Sequence, residues 1–309
     1  MRRWAAFAAA AATATLVSAC TSSAGDKPTP VSVVSASPAV ATVSCQYRPT
    51  AVFPDVDQLL AAGNKQTDEA LKSGQATAAQ AEQYLQGQRQ QANYLKSHRA
   101  RARSVSTPSA SAPQSGTTKI ALSTSQGTVT MVLNAASAPC NVNALNHLVT
   151  ARYYDDTPCH RMVISPAMSV LQCGDPTGTG SSTPGWTSPD EFPTDLLQAP
   201  DDGSGIANVI YPRGTIAIAN TYQQANSMTG QAASGENTGS SQFFLVITDT
   251  TLPPNYSVVG HVDNAGLAVL DKIKAGGLNP PAVPEPQATN TITDGQPKLP
   301  VQIITARQT

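Results

Sequence analysis

One arginine and one glutamine are the first candidates for chemistry, because two short predicted strands bring them together. Residues 159–180 (CHRMVISPAMSVLQCGDPTGTG) predict two strands joined by a turn at Pro166, since proline fixes φ and cannot donate to a sheet ladder. Arg161 on the first strand and Gln172 on the second can therefore share a face. A fixed guanidinium is a strong, always protonated donor, which can act without a nucleophile or a metal. Taken alone, such an arginine is more often an exposed strand residue.

Three further motifs follow in a fixed order. A glycine-rich loop, GDPTGTG, closes the second strand at residues 174–180. IAN stands at 218–220, at the end of a predicted buried strand, and SQFF stands at 241–244, at the start of the next. Together these motifs resemble the cyclophilin-type peptidyl-prolyl isomerases, whose pattern is close to FHR…QGGDPTGTG, then MAN, then GSQFF. The resemblance covers residues 119–305, and within the family the chain is most similar to the actinobacterial lipoprotein or membrane-anchored branch.

The elements that must position these residues predict a mainly β domain at 119–309. About eight short alternating strands with two helices favour an antiparallel β-barrel. The strands include a hairpin turning at 125–127. The first helix carries an apolar stripe, formed by Val142, Leu145, Leu148 and Val149. The resemblance implies a closed eight-stranded antiparallel barrel capped by two helices.

The resemblance also implies a peptidyl-prolyl cis-trans isomerase that needs no cofactor and no metal. Rotation about an X–Pro bond is slow because the amide C–N bond has partial double-bond character, with a barrier of ~18–20 kcal/mol. By resemblance, Arg161 donates to the twisted amide as the catalytic residue, and Gln172 binds the substrate backbone or orients the arginine. The implied substrate-binding residues are Phe244, Ala219, Asn220, Gln242, Val170, Leu252 and Tyr256. Phe243, on the opposite parity from Phe244, is assigned to the core.

Two regions depart from the family pattern. Ser169 and Val170 stand where the family has a Phe-Met pair in its proline pocket. We expect Ser169 to leave that pocket under-filled, unless the flexible side chain of Met168 replaces the lost surface. The loop at 221–240 is longer than in the family and rich in polar residues, so we expect it to tune access to the pocket.

Other function classes have less support. The main alternative is a proline-peptide-binding chaperone module with little or no isomerase activity. A hydrolase is disfavoured because no Gly-x-Ser-x-Gly motif is present. A nucleic-acid partner is disfavoured because the 309 residues are only 13% charged and carry a net charge of −1, which leaves no basic excess.

The first residues predict export and lipidation. Arg2 and Arg3 precede a short alanine-rich apolar stretch that ends in VSAC at 17–20. This combination is typical of a lipoprotein signal peptide over 1–19, with lipidation at Cys20. The alternative is an ordinary cleaved signal with an incidental cysteine. The predicted location is the cell membrane, lipid-anchored and extracytoplasmic, and the predicted partners are that membrane and X–Pro segments of exported proteins, with the chain itself a monomer.

Three segments are predicted between this signal and the barrel. Residues 20–54 begin Ser/Thr/Pro-rich and nearly uncharged, which predicts a disordered tether. Residues 55–103 carry apolar residues near helical spacing, and Thr77 and Gln80 have the spacing of a capping box, so they predict a helical spacer. The alternative is a partner-binding helix. Residues 104–118 predict a second, Ser/Pro-rich linker.

The remaining four cysteines are Cys45, Cys140, Cys159 and Cys173. An even number in an exported chain predicts two disulfides, with three possible connectivities. Strand parity disfavours a Cys159–Cys173 pair, since Cys159 is expected to share the face of Arg161 while Cys173 points the other way. The alternative is buried free thiols. A metal site has little support because no Cys-x-x-Cys spacing is present.

Overall fold

The computed structural model describes residues 40–201, 203–226, 230–282 and 292–309. The predicted signal peptide, the predicted lipidation site at Cys20 and the first part of the predicted tether lie outside the described residues. The described residues belong to one compact unit, and four α-helices and eighteen short strands are found among them.

Three of the four described helices begin at a residue whose side chain caps them, and the third in chain order begins at Pro139 without such a cap. The helices are α1 (Val56–Lys72), α2 (Ala78–His98), α3 (Pro139–Thr150) and α4 (Asn264–Ala275), with a short 3-10 turn at Arg99–Arg101 after α2. Asp55 caps α1 by accepting from two backbone N–H groups, and Thr77 forms the expected capping box with Gln80. None of the described helices is long and apolar enough to cross a membrane.

The strands are short because glycine, proline and register shifts interrupt them. In chain order they are β1 (Thr42–Ser44), β2 (Arg48–Pro49), β3 (Ser111–Pro113), β4 (Thr117–Thr124), β5 (Gly127–Asn134), β6 (Thr157–Pro158), β7 (Arg161–Ile164), β8 (Ser169–Cys173), β9 (Trp186–Thr187), β10 (Leu197–Gln198), β11 (Val209–Tyr211), β12 (Thr215–Ile218), β13 (Phe243–Val246), β14 (Thr250–Leu252), β15 (Val258–Val262), β16 (Leu278–Asn279), β17 (Asp294–Pro297) and β18 (Gln302–Gln308). Eleven of them form one sheet in the order β16-β17-β7-β8-β13-β12-β15-β5-β4-β18-β6. The predicted mainly β class with antiparallel pairing is confirmed.

The sheet is a curled ladder with two ends, and the predicted closed eight-stranded barrel is not confirmed. Among the described residues the ladder ends at β16 and at β6. The physical reason lies at Cys159–His160, which belong to no strand and separate β6 from β7. Before this break the chain pairs with β18, and after it the chain pairs with β8 and β17. The expected run from Cys159 to Val163 therefore begins only at Arg161, and the strands on either side of the break have different partners.

The sheet separates two hydrophobic clusters. The larger one lies against α3 and α4, and it includes the predicted stripe of α3 together with Leu270 and Ile273. The smaller one contains Val163, Val170 and Phe244. Since successive side chains of a strand point to opposite faces, Phe243 joins the larger cluster while Phe244 joins the smaller. The assignment of Phe243 to the core is confirmed.

The end of the predicted tether and the predicted linker are ordered, which corrects both expectations. Strand β1 pairs with β3, so residues 42–44 and 111–113 form a small sheet, and β2 pairs with β9. A disulfide joins Cys45 to Cys140 on α3. Polar composition predicted disorder, but these segments gain backbone pairs and a covalent link from residues distant in sequence, which composition does not reveal.

The two helices of the predicted spacer pack on the rest of the unit and do not stand apart from it. Tyr94 on α2 donates its hydroxyl to the carbonyl of Gly178 at 3.2 Å. Arg103 donates to the carbonyl of Tyr153 at 3.0 Å. The indole of Trp186, only 1% exposed, donates to the carbonyl of Val105 at 3.0 Å. These contacts connect α2 to the glycine-rich loop, and they connect the segment after α2 to Tyr153 and Trp186.

The second disulfide joins Cys159 to Cys173, and the parity argument against this pair is wrong. That argument extended the alternation of β7 back to Cys159. Strand β7 begins at Arg161, however, so Cys159 lies outside the ladder and its side chain is free to turn inward. Both sulfurs reach the larger hydrophobic cluster.

Candidate active site

Three neighbouring strands place the first candidate residues side by side. Arg161 on β7 is paired with Gln172 on β8, and Gln172 is paired with Phe244 on β13. Residues directly opposite each other in adjacent strands present their side chains on the same face. The predicted arrangement of Arg161 opposite Gln172 is therefore confirmed, and the aromatic ring of Phe244 continues the row.

A chain of hydrogen bonds orients the polar members of this row. Arg161 donates from Nη1 to Oε1 of Gln172 at 3.3 Å, and Gln172 donates from Nε2 to Oε1 of Gln242 at 3.0 Å. Gln242 in turn donates to the carbonyls of Gly180 at 3.0 Å and Ser182 at 3.3 Å. The side-chain amides of Gln172 and Gln242 each accept a hydrogen bond through oxygen and donate one through nitrogen. This arrangement turns Oε1 of Gln172 towards Arg161.

Asp294, on β17, is the contact that sequence analysis missed. Its carboxylate accepts from Nε of Arg161 at 2.9 Å and from Nη2 at 2.5 Å, a two-pronged pair. Strand β17 lies next to β7, with Asp294 opposite Val163. The sequence carries no signal for this contact, because Asp294 follows a proline-rich segment and is more than a hundred residues from the arginine.

A small cavity opens beside the arginine. Its lining residues are Arg161, Met168, Val170, Gln172, Ala219, Asn220, Phe244, Leu252 and Tyr256. Its volume is about 140 Å³, well below the ~300–1,000 Å³ typical of sites for drug-sized ligands. A cavity of this size suits one small apolar group.

Phe244 and Tyr256 form the aromatic wall of the cavity, and the buried ring of Tyr211 packs against both. The ring of Phe244 meets that of Tyr256 edge-on at 5.3 Å and that of Tyr211 at 6.4 Å. Burial raises the pKa of Tyr256, against a smaller opposing effect of Arg161, and burial also raises the pKa of Tyr211. Both phenols therefore stay neutral near pH 7. Of the described residues that line the cavity, Arg161 alone carries a charge.

The glycine-rich loop is organised by a buried carboxylate. Asp175 is fully buried and accepts hydrogen bonds from Thr177, Ser181 and Ser182. Burial opposes the ionisation of Asp175, but the hydrogen bonds from Ser182 and Thr177 outweigh it, so the pKa is lowered. Gly174 enters the loop at φ 99°, where a side chain would collide with the carbonyl of Ser241. The loop thereby presents the carbonyls that hold Gln242.

Asn220 connects the cavity to the long loop at 221–240. Its amide donates to the carbonyl of Asn255 at 2.6 Å and accepts from the N–H of Tyr222 at 3.1 Å. Farther along, Gln223 and Ser234 exchange backbone hydrogen bonds. Asn220 lines the cavity as predicted, but its side chain already anchors the base of the loop.

The cavity brings together the predicted residues, with two differences. Gln242 does not line it and instead orients Gln172. Ser169 is 1% exposed and is not among the lining residues, so the expectation that it leaves the pocket under-filled is wrong. The residues of β8 that face the cavity are Val170 and Gln172, and Met168 just before the strand faces it as well. No cluster of three or more potential metal ligands occurs in the part of the chain that the structure describes.

Comparison with known proteins finds a matching family model and similar sequences. Residues 119–307 match the family model for cyclophilin type peptidyl-prolyl cis-trans isomerase/CLD. The chain is 42% identical over 162 residues to a probable peptidyl-prolyl cis-trans isomerase B of Mycobacterium leprae, covering 52% of this chain and 50% of that protein. It is 41% identical over 159 residues to the protein of the same name from Mycobacterium tuberculosis, covering 52% and 47%. The chain thus spans about half the length of these curated relatives.

Solved structures also match. A cyclophilin type peptidyl-prolyl cis-trans isomerase of Cryptosporidium parvum aligns with 63% of this chain and 98% of its own, at 19% identity and a TM-score of 0.42. A cyclophilin of Hirschia baltica aligns with 61% of this chain and 73% of its own, at 20% identity and a TM-score of 0.39. Neither match assigns a role to any residue of this chain.

Proposed function

Because the chain belongs to the family of cyclophilin-type peptidyl-prolyl cis-trans isomerases, we propose that it catalyses rotation about X–Pro bonds and that Arg161 is the catalytic residue. The observation that carries the proposal is the row Arg161–Gln172–Phe244, which sets a hydrogen-bond donor and an aromatic ring beside one small cavity. A donor next to an apolar cavity matches what this reaction requires.

The reaction requires stabilisation of a twisted amide. Twisting removes the delocalisation that keeps the peptide planar, and the barrier is ~18–20 kcal/mol. In the twisted state the nitrogen lone pair is free to accept a hydrogen bond, whereas the planar ground state offers a much weaker acceptor. A guanidinium aimed at that nitrogen therefore binds the transition state more strongly than the substrate, which is the condition for catalysis.

The cavity supplies the second requirement, a place that fixes the proline ring while the preceding residue turns. Phe244, Met168 and Leu252 offer apolar surface on different elements, so a ring between them is held on several sides. Burying apolar surface contributes roughly 25 cal/mol per Å². The ring has the same apolar surface in the cis and the trans isomer, so the cavity binds both equally. The cavity therefore holds the ring in place without opposing rotation about the X–Pro bond.

The test is an isomerisation assay on the full chain and on two Arg161 variants. Arg161→Ala should lower kcat/KM at least tenfold, because a hydrogen bond from a charged group is worth about 1.5–3 kcal/mol. Arg161→Lys should recover only part of the loss, since an ammonium keeps the charge but loses the planar fork. The matched control is Arg213→Ala, which removes another arginine bound to an aspartate, at a position that does not line the cavity.

The outcomes separate two functions. If wild-type protein isomerises an X–Pro peptide and Arg161→Ala remains within twofold of it, the role of Arg161 is wrong. If wild-type protein binds the peptide but does not accelerate isomerisation, the alternative function takes its place, a proline-peptide-binding chaperone module. Binding is measured separately, by titration of a fluorescent X–Pro peptide, and should change little in Arg161→Ala.

The proposed setting is outside the cytoplasm, where the chain assists the folding of exported proteins while anchored by lipid at Cys20. Two observations support this: the VSAC motif at 17–20, and two disulfides, which persist in oxidising compartments. The test is Cys20→Ala followed by cell fractionation and mass spectrometry. A wild-type protein that is soluble and carries no lipid would contradict the anchor without affecting the proposed activity.

A further inference from the structure

We propose that Asp294 is a positioning residue for the catalytic arginine, an inference that rests on the proposed function of Arg161. A guanidinium on a long, flexible side chain is useful as a donor only if its direction is fixed before the substrate arrives. Asp294 provides that restraint from a strand that sequence analysis did not connect with the site.

The geometry divides the five N–H groups of Arg161 into two sets. Asp294 accepts from Nε and from Nη2, and Gln172 accepts from Nη1. Three N–H groups are thereby occupied, two on the edge formed by Nε and Nη2 and one on Nη1. The remaining two, one on each terminal nitrogen, are left for a bound peptide. The restraint thus leaves the donors that the proposed reaction uses.

The position of Asp294 is set by the backbone and does not depend on the ion pair. Its strand, β17, pairs with β7 on one side and with β16 on the other. The next residue, Gly295, approaches so closely that a side chain there would collide with the carbonyl of Asn279. The carboxylate is therefore a fixed acceptor, and the arginine is the flexible partner that adapts to it.

The exposure of the Arg161–Asp294 pair indicates that it should affect catalysis more than stability. The side chains of Arg161 and Asp294 are 42% and 48% exposed, and ion pairs this accessible contribute little to folding. A second pair, Arg213 with Asp271 on α4, is also two-pronged, through Nη1 and Nη2 at 2.8 Å, and has similar exposure. Removing either carboxylate should change stability by a similar small amount. Only removal of Asp294 should change catalysis.

The experiment compares Asp294→Asn and Asp294→Glu with the matched control Asp271→Asn in the full chain. Asp294→Asn keeps the shape of the side chain but loses the charge and one acceptor, so kcat/KM should fall roughly three- to thirtyfold. The loss should lie in kcat, with the affinity for an X–Pro peptide within about twofold of wild type. Asp294→Glu should restore part of the rate, and Asp271→Asn should match wild type.

A second measurement reports the orientation of the guanidinium directly, and its first part uses only the wild-type protein. Nitrogen-15 relaxation at Nε of Arg161 should show a rigid N–H in the wild-type protein, near the order of the backbone. The same signal should become mobile in Asp294→Asn. A mobile Nε–H in wild type overturns the inference outright.

The failures can be told apart. If Arg161→Ala leaves the rate unchanged, the proposed function fails and Asp294 has no role to position. If Arg161→Ala abolishes the rate but Asp294→Asn is as active as Asp271→Asn, the function stands and this inference is wrong. A higher rate in Asp294→Asn also overturns it, because the carboxylate would then compete with the substrate for the guanidinium.

Discussion

The two disulfides should have opposite orders of effect on stability and on activity. We expect Cys45–Cys140 to contribute more to stability and Cys159–Cys173 to contribute more to activity. The perturbation is the removal of one pair at a time, as Cys45→Ala with Cys140→Ala and as Cys159→Ala with Cys173→Ala. All four cysteines are at most 5% exposed, so the cavities left by the lost sulfurs are comparable. What differs is the length of chain that each bond closes and its distance from the arginine.

The stability effect follows from the sequence separations. Cys45 and Cys140 are 95 residues apart, and Cys159 and Cys173 are 14 apart. Closing loops of these lengths removes unfolded-state entropy equivalent to about 4.7 and about 3 kcal/mol. The variant lacking Cys45–Cys140 should therefore melt about 3–7 °C below the variant lacking Cys159–Cys173, since 1 kcal/mol shifts Tm by roughly 2–4 °C in a protein of this size.

The activity effect should have the opposite order. Cys173 is adjacent to Gln172, and Cys159 lies two residues before Arg161, so this bond joins the ends of the two strands that carry the donor and its partner. Without the Cys159–Cys173 bond, the chain at residues 159–160 is held less firmly, and the position of Arg161 is less fixed. We therefore expect kcat/KM to fall about fivefold or more. The Cys45–Cys140 bond joins the residue after β1 to α3, and neither cysteine lines the cavity, so its loss should leave the rate of folded protein within twofold.

The assays are differential scanning calorimetry and peptide isomerisation at a temperature well below both transitions. Circular dichroism equalises the concentration of folded protein. The reasoning is refuted if the variant lacking Cys159–Cys173 melts at the lower temperature, or if the two variants lose activity equally. The second result would mean that both bonds act through global stability and that the bond next to the arginine has no local effect.

Three further predictions concern the pocket, a histidine and a loop. Ser169→Phe should lower the free energy of unfolding by about 1–3 kcal/mol, measured by urea denaturation, and should not tighten peptide binding, because Ser169 faces away from the cavity. Burial lowers the pKa of His160 to about 4; the charge of Asp175 acts to raise this pKa and the charge of Arg161 acts to lower it further. As pH falls, the histidine is therefore protonated in the unfolded chain before it is protonated in the folded protein. Its contribution to stability should be complete above about pH 6.5 and decline towards pH 4, and calorimetry of His160→Asn should show a flatter pH dependence in that window. Replacing residues 224–233 by Asn-Gly should leave Tm nearly unchanged, because Gln223 and Ser234 already pair at the base, and should alter substrate preference across a peptide series.

The parts of the site that sequence predicted depend on local rules. Alternation along a strand placed Arg161 opposite Gln172 and separated Phe243 from Phe244, and both results hold because β7, β8 and β13 are regular in that region. The spacing of the motifs added the residues of β12 and the turn before β15. Each of these inferences spans one strand or one turn, a range over which side-chain direction is fixed by covalent geometry.

The features that the sequence did not predict depend on the exact end of a strand or on the pairing of segments that are distant in sequence. The parity argument failed for Cys159 because β7 begins two residues later, at Arg161. No residue type at 159–160 indicates that a strand begins there. Asp294 could not be placed, since its contact with Arg161 needs the register of β17 on β7, which follows from tertiary pairing. Composition alone suggested disorder at 42–54, where the order comes from a disulfide and from strands located elsewhere in the chain.

The segment before residue 119 also contributes a contact to the site. Tyr94 on α2 donates to Gly178, and two residues farther along the same loop the carbonyl of Gly180 holds Gln242. Gln242 orients Gln172, which accepts from Arg161. A polar loop with several glycines has many conformations of similar energy, so its geometry must be held by contacts on both of its sides. Gln242 contacts this loop at Gly180 and Tyr94 of α2 contacts it at Gly178, so the chain of contacts that leads to the arginine begins before residue 119.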